Sequence, residues 1–399
     1  MDIKITDNIM TAALNGRIDS TNASGFEEEI MKALKEEQIT SAVFDASELE
    51  YISSAGLRVL MKIRKLIGNE VSVNNVSRDV YDIFETTGFT ELLKVQKAYR
   101  EVSVKDCEII GKGFFGTVYR LDAETIVKVY KGKDSIPMIL NEQKMARKAF
   151  INGIPTAISY DIVRVGEDYG SVFELLNAKT LNDIVIDGEK SIEDIVSSYV
   201  DMICLVHSTS MKEGELPDVR ETFSDYLEVI EQCLNEHEII RYRGFISSMP
   251  YDPHVTHGDI QMKNVMVVDG EMMLIDMDTL CLGNPIFDLQ ALYVTYQLFS
   301  EDEPDNTMNF LGISKEKADR IWELIIEDYY EGLDKETIEV ILRKIKLVSY
   351  IRFLYLIMST DLKKGELGEL RIKHTKEHIS ELIDTVEDLI IPGSCRNRS

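Results

Sequence analysis

One segment of the chain contains an aspartate and an asparagine five residues apart. Asp259 stands in the segment HVTHGDIQMKNVMVV, and Asn264 follows five residues later, just before an apolar strand pattern. An aspartate in such a loop can accept the proton of a substrate hydroxyl, and an asparagine at that distance offers a hard oxygen to Mg²⁺. A polar turn capped by the aspartate is the simpler alternative, but both the spacing and the strand that follows favour a catalytic loop.

A second carboxylate is returned towards this loop by a predicted hairpin. The dipeptide Asp269-Gly270 lies between two apolar strand patterns and indicates a tight type I′ turn. The second strand ends at Asp276, so the hairpin predicts that Asp276 lies beside Asn264. Two oxygen ligands would then converge where a metal bridges nucleotide phosphates. An ordinary strand-end aspartate is the alternative that this pattern leaves open.

Upstream lies the glycine-rich segment GKGFFGTVY, which contains Gly111, Gly113 and Gly116 and then Val118. Glycines let a loop approach phosphates closely, with its backbone N–H groups facing them. The segment is flanked by strand patterns on both sides, whereas the dinucleotide-binding form of this motif opens a helix. Taken alone, the segment fits a plain glycine hairpin equally well.

A lysine, Lys128, lies inside the apolar strand pattern IVKVYK. Burying a lysine there is costly unless it has an anionic partner, and Glu142, in a predicted helix fourteen residues later, can supply one. A lysine on the solvent face of the strand is the alternative. Taken together and in this order, the four elements match the phosphoryl-transfer template of glycine-rich cover, paired lysine, Asp/Asn loop and metal-binding aspartate.

These elements resemble the protein-kinase-like superfamily and, within it, the aminoglycoside phosphotransferase family. The loop has His-Gly-Asp at 257–259, where protein kinases usually have arginine in the middle. Gln261 stands where Ser/Thr protein kinases usually carry lysine. The segment GNPIFDLQAL (283–292) is similar to the family pattern G-[DN]-P-x-x-D-L. The resemblance covers about residues 105–390.

The resemblance implies transfer of the γ-phosphoryl group of ATP, or of another nucleoside triphosphate, to a hydroxyl of an amino sugar, an amino alcohol or a sugar, with Mg²⁺ as cofactor. Carried over by position, it implies Asp259 as the catalytic base, Asn264 and Asp276 as magnesium ligands, Gly111, Gly113, Gly116 and Val118 around the phosphates, Lys128 paired with Glu142 on the α- and β-phosphates, the backbone from Glu174 to Leu176 against adenine, and His257 and Asp288 as supports of the loop.

The elements that must position these residues form a small β-rich lobe followed by a large helical lobe. Three strand patterns precede a helix over about 137–150, and almost every stretch from 313 to 390 is helical in pattern. We therefore expect an α+β, two-lobed kinase-like domain over residues 101–399. Its N-lobe spans about 105–176 and its C-lobe about 177–390.

The first hundred residues alternate short strand and helix patterns, which predicts a separate small α/β domain over 1–100. The segments NGRIDSTNASGFEEEI, VFDASELEYISSAGLRVL and VNNVSRDVYDIFETTGF resemble the STAS domain of anti-sigma factor antagonists. Hydroxyl groups at a helix N-terminus commonly only cap the helix, and this alternative stays open. The resemblance puts the family's phosphorylatable serine at Ser54, and the neighbouring Ser53, where the family usually has aspartate, is a second possible site. The resemblance also implies a regulatory domain that binds an anti-sigma-type partner. The pattern before the two serines predicts a strand that ends near Asp45 and is followed by a loop.

Composition excludes several classes of function. A net charge of −26 argues against nucleic-acid binding and against docking on anionic lipid, because both need a basic surface. Five cysteines without a CxxC pair favour a reducing cytoplasm over a zinc or disulfide framework. The first residues contain no secretory pattern, and the late apolar segment LVSYIRFLYLIMS is interrupted by Arg352, so we expect a buried helix and no membrane anchor.

Two other functions remain open at the level of sequence. The first is a protein serine kinase that acts on Ser54, since the glycine-rich segment is fuller than in many phosphotransferases and closer to the protein-kinase form. The second is a nucleotide-sensing pseudo-kinase in an anti-sigma partner switch. The presence of Lys128, Asp259, Asn264 and Asp276 together argues against a pseudo-kinase.

Overall fold

The protein divides into two compact units in the computed structural model. The first comprises residues 1–105 with 162–167, and the second comprises 106–161 with 168–399. The structure describes residues 3–6, 8–36, 39–68, 71–112, 116–175, 178–188 and 190–394. Gly113 and Leu176, both predicted to contact the nucleotide, lie outside the described residues.

The strands and helices of the described residues are numbered in chain order. The strands are β1 (Ile3–Thr6), β2 (Ile9–Ile18), β3 (Ser41–Ile52), β4 (Val71–Val76), β5 (Lys94–Lys97), β6 (Arg100–Glu101), β7 (Ile109–Lys112), β8 (Gly116–Arg120), β9 (Thr125–Tyr130), β10 (Asp161–Val165), β11 (Asp168–Glu174), β12 (Lys179–Thr180), β13 (Val255–Thr256), β14 (Val265–Val268), β15 (Glu271–Leu274) and β16 (Cys281–Leu282). The helices are α1 (Ala23–Glu36), α2 (Ser54–Ile67), α3 (Arg78–Thr86), α4 (Ile136–Ile151), α5 (Leu181–Asp187), α6 (Ile192–Ser208), α7 (Val219–Ile230), α8 (Glu236–Ser248), α9 (Ile286–Tyr293), α10 (Phe299–Asp302), α11 (Asn306–Leu311), α12 (Lys315–Tyr329), α13 (Lys335–Ser359) and α14 (Gly365–Leu382).

A five-stranded sheet in the order β1-β2-β3-β4-β5 forms the centre of the first unit. Strand β1 is antiparallel to β2 across a turn at Asn8, whose φ of 64° is a conformation that asparagine tolerates. Strands β2 to β5 are parallel, with α1, α2 and α3 as the crossovers. The α/β architecture predicted for the first hundred residues is confirmed.

Strand β3 is longer than the sequence suggested. We expected it to end near Asp45, but it continues to Ile52. Beyond Asp45 its residues pair with Asn15–Ile18 of β2 after a shift in register, and Leu49 and Ile52 are buried in the core. A local pattern cannot show that pairing, because the partner strand comes from another part of the chain.

The second unit begins with antiparallel strands, in which β9 pairs with β8 and β11, and β8 pairs with β7. Helix α4 follows β9 and packs back on this sheet. The remainder is mainly helical around one large apolar core, and it includes the β14–β15 hairpin, whose turn residues Asp269 and Gly270 both have positive φ. The order of a β-rich lobe and then a helical lobe is as predicted.

Helix α13 is 25 residues long and contains most of the late apolar segment. It contacts α7, α9 and α14, so its apolar side chains are buried inside the second unit. Among the described residues, no helix combines the length and the hydropathy needed to cross a membrane.

The close contact of α2 with the first sheet depends on Gly56. A Cβ there would lie 2.7 Å from Ile18 Cγ2 and 2.7 Å from Ile52 Cγ1, both in buried side chains. We expect Gly56→Ala to lower the free energy of unfolding of the first unit by about 1–3 kcal/mol, because the core must move to accept the methyl group. Urea denaturation followed by circular dichroism measures this change.

Gly25→Ala in α1 is the matched control, since nothing lies within 4 Å of its Cβ position. Alanine is the better helix former, so this variant should be neutral or more stable by up to ~1 kcal/mol. Equal destabilisation by the two substitutions would contradict the packing argument.

Candidate active site

The loop that contains Asp259 is anchored by Asp288, the third residue of α9. Both backbone N–H groups before the aspartate, those of His257 and Gly258, donate to the Asp288 carboxylate, the first at 2.9 Å. The side chain of Asp288 is completely buried. The loop and α9 were predicted to meet, and the structure brings them together through these hydrogen bonds.

A second polar chain stabilises Asp288 from behind. His207, at the end of α6, lies with Nε2 2.9 Å from Asp288 Oδ2 and with Nδ1 2.7 Å from the Tyr329 hydroxyl. Burial alone would raise the pKa of Asp288. The hydrogen bond and charge of His207, together with the contribution of His257, outweigh burial and hold the pKa of Asp288 below its usual value.

His257 links the loop to the hairpin. Its Nε2 donates to Ile275 O at 3.1 Å, and its Nδ1 accepts from Asp259 N at 3.3 Å. Thr279 Oγ1 donates to His257 O at 2.7 Å. The side chain of His257 therefore ties two backbone segments together, in the supporting position that the sequence predicted for it.

Asp259 and Asn264 are in direct contact. Asn264 Nδ2 donates to Asp259 Oδ2 at 2.9 Å and to Asp259 O at 2.8 Å. Gln261 Nε2 lies 3.1 Å from the same carboxylate oxygen. The amide nitrogen of Asn264 is thus committed to Asp259, which leaves its Oδ1 as the atom that can bind a cation.

The hairpin returns Asp276 to this loop, as its turn sequence predicted. Ile275 N donates to Asn264 O at 3.0 Å, so Asp276 follows directly after a residue bonded to Asn264. Asp276 has a φ of 60°, which is uncommon for a residue other than glycine and clusters at functional sites. Its carboxylate accepts a hydrogen bond from Lys128.

Lys128 lies between two carboxylates in a largely buried position. Its Nζ is 3.3 Å from Glu142 Oε1 and also contacts Asp276. Burial works against the charge, but Glu142 and Asp276 outweigh it and raise the pKa of Lys128. Tyr130, two residues further along β9 and on the same face, donates from its hydroxyl to Glu142 Oε2. The predicted Lys–Glu pair is present.

The register of the β-sheet places the glycine-rich segment next to this lysine. Val118 of β8 pairs with Lys128 of β9 on one side and with Gly111 of β7 on the other. Residues opposite one another in such a ladder share a face of the sheet. Gly116 also has a local structural reason to be glycine, since a Cβ there would lie 2.7 Å from Val129 O.

The segment predicted to meet adenine starts at the end of β11. Glu174, its last residue, is exposed and pairs with Thr125 of β9. The next backbone N–H, that of Leu175, donates to Glu124 O at 2.6 Å. The structure thus places Glu174 at the end of the sheet that contains Lys128.

Asp278 is a largely buried carboxyl group at the hairpin end of the site. Burial, followed by the charges of Asp276 and Glu142, raises the pKa of Asp278 to about 7, although Lys128 opposes the shift. Within the described ranges, no three His, Cys, Asp or Glu side chains converge as a ready-made metal centre. The arrangement suits a cation that takes part of its ligands from outside the protein.

In the first unit, Ser53 and Ser54 occupy the start of α2. Ser53 is the N-cap, and its Oγ accepts from Ala55 N at 3.2 Å. Ser54 is the first helical residue and is exposed. Of the two hydroxyl groups predicted as phosphorylation sites, only that of Ser54 is free of a capping role.

The sequence did not single out five residues that hold this site together. Tyr130 stands two residues after Lys128 on β9. Because residues two apart on a strand share a face, the strand period could have suggested it. The other four meet the site from separate elements, and of these only Arg352 left a local signal, as the interruption of an apolar segment. These residues are Tyr130, His207, Thr279, Tyr329 and Arg352.

Two different protein families match the two parts of the chain. A family model described as the phosphotransferase enzyme family matches residues 106–310, just over half of the chain. The chain belongs to this family. A STAS domain model matches residues 1–102 of the same phosphotransferase. BtrV of Bordetella bronchiseptica, named as a candidate anti-sigma factor antagonist, is 32% identical over 92 residues that cover 22% of this chain and 78% of BtrV.

Solved structures similar to the phosphotransferase include an ADP-bound aminoglycoside phosphotransferase, APH(2'')-Ib. The two are 15% identical with a TM-score of 0.45, over 72% of this chain and 95% of that one. A choline/ethanolamine kinase family protein from Mesorhizobium loti is 15% identical with a TM-score of 0.46, over 70% of this chain and 91% of that one. The family match thus confirms the predicted kinase-type phosphotransferase and its STAS domain.

The buried carboxylate of Asp288 makes a testable contribution to stability. Asp288→Asn should lower the free energy of unfolding by about 2–5 kcal/mol, because an amide cannot accept all three hydrogen bonds and leaves buried donors unpaired. The pKa of Asp288 is lowered by folding, so its stabilisation is present above the unfolded pKa and is lost as pH falls through the lower, folded pKa. Urea titrations at pH 7 and below pH 4 should show the difference between the two proteins shrink.

Asp384→Asn is the matched control, since Asp384 also pairs with a histidine, His237, but at the surface. An exposed pair contributes little, so this variant should change stability by less than ~1 kcal/mol. A similar loss in both variants would refute a special role for the buried carboxylate.

Proposed function

We propose that the second unit transfers the γ-phosphoryl group of ATP, or of another nucleoside triphosphate, to a hydroxyl of a small molecule such as an amino sugar, an amino alcohol or a sugar. The observation that carries this proposal is the contact of Asp259 with Asn264, beside the Lys128–Asp276 pair, in a chain of the phosphotransferase family. Phosphoryl transfer needs positioning and charge stabilisation, and these residues supply both.

In the proposed reaction, Asp259 accepts the proton of the acceptor hydroxyl, and the oxygen of that hydroxyl forms a bond to the γ-phosphorus. The bond from that phosphorus to the bridging oxygen breaks, and the nucleoside diphosphate leaves with the bond's electrons. Lys128, held by Glu142, binds the α- and β-phosphates, and the strands around Gly111 and Val118 cover them. The largely buried position of Lys128 strengthens its charge interactions.

The residues present fit a magnesium ion. Asn264 Oδ1 and the Asp276 carboxylate are hard oxygen ligands of the kind that Mg²⁺ prefers. Mg²⁺ bound there would neutralise part of the negative charge of the phosphates. Lys128 contacts the carboxylate of Asp276, which keeps that side chain turned into the site.

Asp259→Asn tests the assignment of the base. We expect turnover to fall by about 10²–10⁴-fold while nucleotide binding stays nearly unchanged, because the amide cannot accept the proton but occupies the same space. The assay follows ADP release from Mg·ATP with kanamycin, choline or glucose as acceptor, and calorimetry measures ATP binding.

Asp269→Asn is the control, since Asp269 stands at the exposed hairpin turn with a positive φ that asparagine also tolerates. Its turnover should equal that of the unmodified protein. Full activity of Asp259→Asn, or no turnover of any acceptor by the unmodified protein, would refute the proposed reaction.

For the first unit we propose a regulatory role, with residues 1–100 binding an anti-sigma-type partner in the cytoplasm. The STAS match and the similarity to BtrV support this. The exposed hydroxyl of Ser54 at the N-terminus of α2 also favours a second candidate function, serine phosphorylation by the same chain, because a phosphate there is stabilised by the helix dipole.

Intact-mass measurement after incubation with Mg·ATP separates the two functions. Self-phosphorylation predicts a gain of one phosphoryl group that Ser54→Ala abolishes. An unchanged mass together with turnover of a small acceptor would leave only the small-molecule reaction.

A further inference from the structure

Arg352 is a charged residue in the apolar middle of α13. Its chain neighbours Ile351 and Phe353 are buried, and Arg352 itself is half-buried. It takes part in no ion pair within the described part of the chain. Among the described residues, its one hydrogen bond runs from Nη1 to Gly258 O at 2.6 Å, across 94 residues of sequence. A half-buried charge without a counter-ion is costly, so this bond is the reason the structure offers for an arginine here.

The partner of that bond is the carbonyl group just before Asp259. Each peptide unit is planar, so holding its C=O and its N–H fixes the orientation of the whole unit. The His257–Gly258 unit is held at both ends, by Thr279 at the carbonyl and by Asp288 at the N–H. All of its hydrogen-bonding groups are therefore satisfied.

The next unit, Gly258–Asp259, is held less evenly. Its N–H donates to His257 Nδ1 at 3.3 Å, a long bond, whereas its carbonyl accepts the charged 2.6 Å bond from Arg352. The orientation of this peptide unit sets the direction in which the side chain of Asp259 leaves the backbone. Arg352 is the stronger of the two anchors.

Glycine at position 258 makes such an anchor necessary. Its φ is 84°, and a Cβ there would lie 2.7 Å from Phe287 Cε1 and 2.9 Å from Thr279 O, so no other residue fits. Glycine also leaves the backbone free to rotate on both sides of its Cα. The unit that carries Asp259 needs an external contact to stay in one orientation.

Arg352 and Asp259 lie in the same part of the fold, because Arg352 binds the carbonyl group directly before Asp259. Burial raises the pKa of the Tyr226 hydroxyl, and the charge of Arg352 lowers this pKa while the charge of Asp259 raises it, so both groups act on the same hydroxyl. The ring of Tyr226 packs on Tyr355, one turn beyond Arg352 on α13, with ring centroids 4.5 Å apart. This contact packs that part of α13 on α7, which contains Tyr226.

We propose that Arg352 is a positioning residue for phosphoryl transfer, which keeps the Asp259 carboxylate directed at the acceptor by holding the Gly258 carbonyl. This inference rests on the proposed function of Asp259. Arg352 acts here through the backbone and not through contact with the nucleotide.

Arg352→Met, which keeps the apolar stem but removes the donor, is the test. We expect kcat to fall by about 10–100-fold, since small misplacements of a catalytic group carry losses of this size, while the KM for ATP changes less than about twofold. Arg352→Lys should recover part of kcat, because an ammonium can still donate to the carbonyl. Assays use Mg·ATP with the same three acceptors.

Hydrogen exchange followed by mass spectrometry gives a readout that needs no acceptor. In Arg352→Met, amide exchange in the peptide containing residues 257–259 should speed up by about tenfold while the urea midpoint of the whole unit stays the same. Arg343→Met, the same substitution at an exposed position of α13, should leave kcat and exchange unchanged.

The outcomes separate this inference from the proposed function. Loss of activity in both Asp259→Asn and Arg352→Met, with faster exchange and lysine rescue, supports both. An inactive Asp259→Asn beside a fully active Arg352→Met, or unchanged exchange in Arg352→Met, overturns the role of Arg352 alone. A fully active Asp259→Asn overturns the proposed function and this inference with it.

Discussion

A carboxylate with no access to water is the constraint on which the active site depends. Asp288 is completely buried, and a buried charge is tolerated only when hydrogen bonds and opposite charge satisfy it. His207 supplies one partner, and the two N–H groups before Asp259 supply the others. Because Asp288 needs these donors, the loop between β13 and β14 has one low-energy position, and that position presents Asp259.

A second charged group joins the β-rich lobe to this loop. Lys128 on β9 meets Glu142 from α4 on one side and Asp276 from the end of the hairpin on the other. The carboxylates of Glu142 and Asp276 both balance its charge, and the Tyr130 hydroxyl donates a hydrogen bond to the other oxygen of Glu142. The loop and the lysine thus hold each other through Asp276.

Much of this arrangement could be predicted from local signals. Asp269-Gly270 specifies a tight turn by its own backbone preferences, and that turn alone brings Asp276 back to Asn264. A lysine in an apolar strand requires a carboxylate, and Glu142 was the nearest on a helix. The end of β3 was predicted wrongly, because pairing of residues up to Ile52 with β2 depends on a strand far along the chain.

The sequence by itself determined the two kinds of fold, the order of the catalytic elements and the identity of the residues that could do chemistry, since all of these are expressed in patterns of a few neighbouring residues. Only the tertiary structure decided what holds those residues in place. His207, Tyr329 and Arg352 come from three different helices. His207 binds Asp288, Tyr329 binds His207, and Arg352 binds the loop itself, each across at least 81 residues of sequence. A long-range hydrogen bond leaves no periodic trace in the chain, because its two ends are brought together by the packing of helices between them. For that reason Arg352 was visible in the sequence only as an interruption of an apolar segment, while the folded structure shows the carbonyl group that it binds.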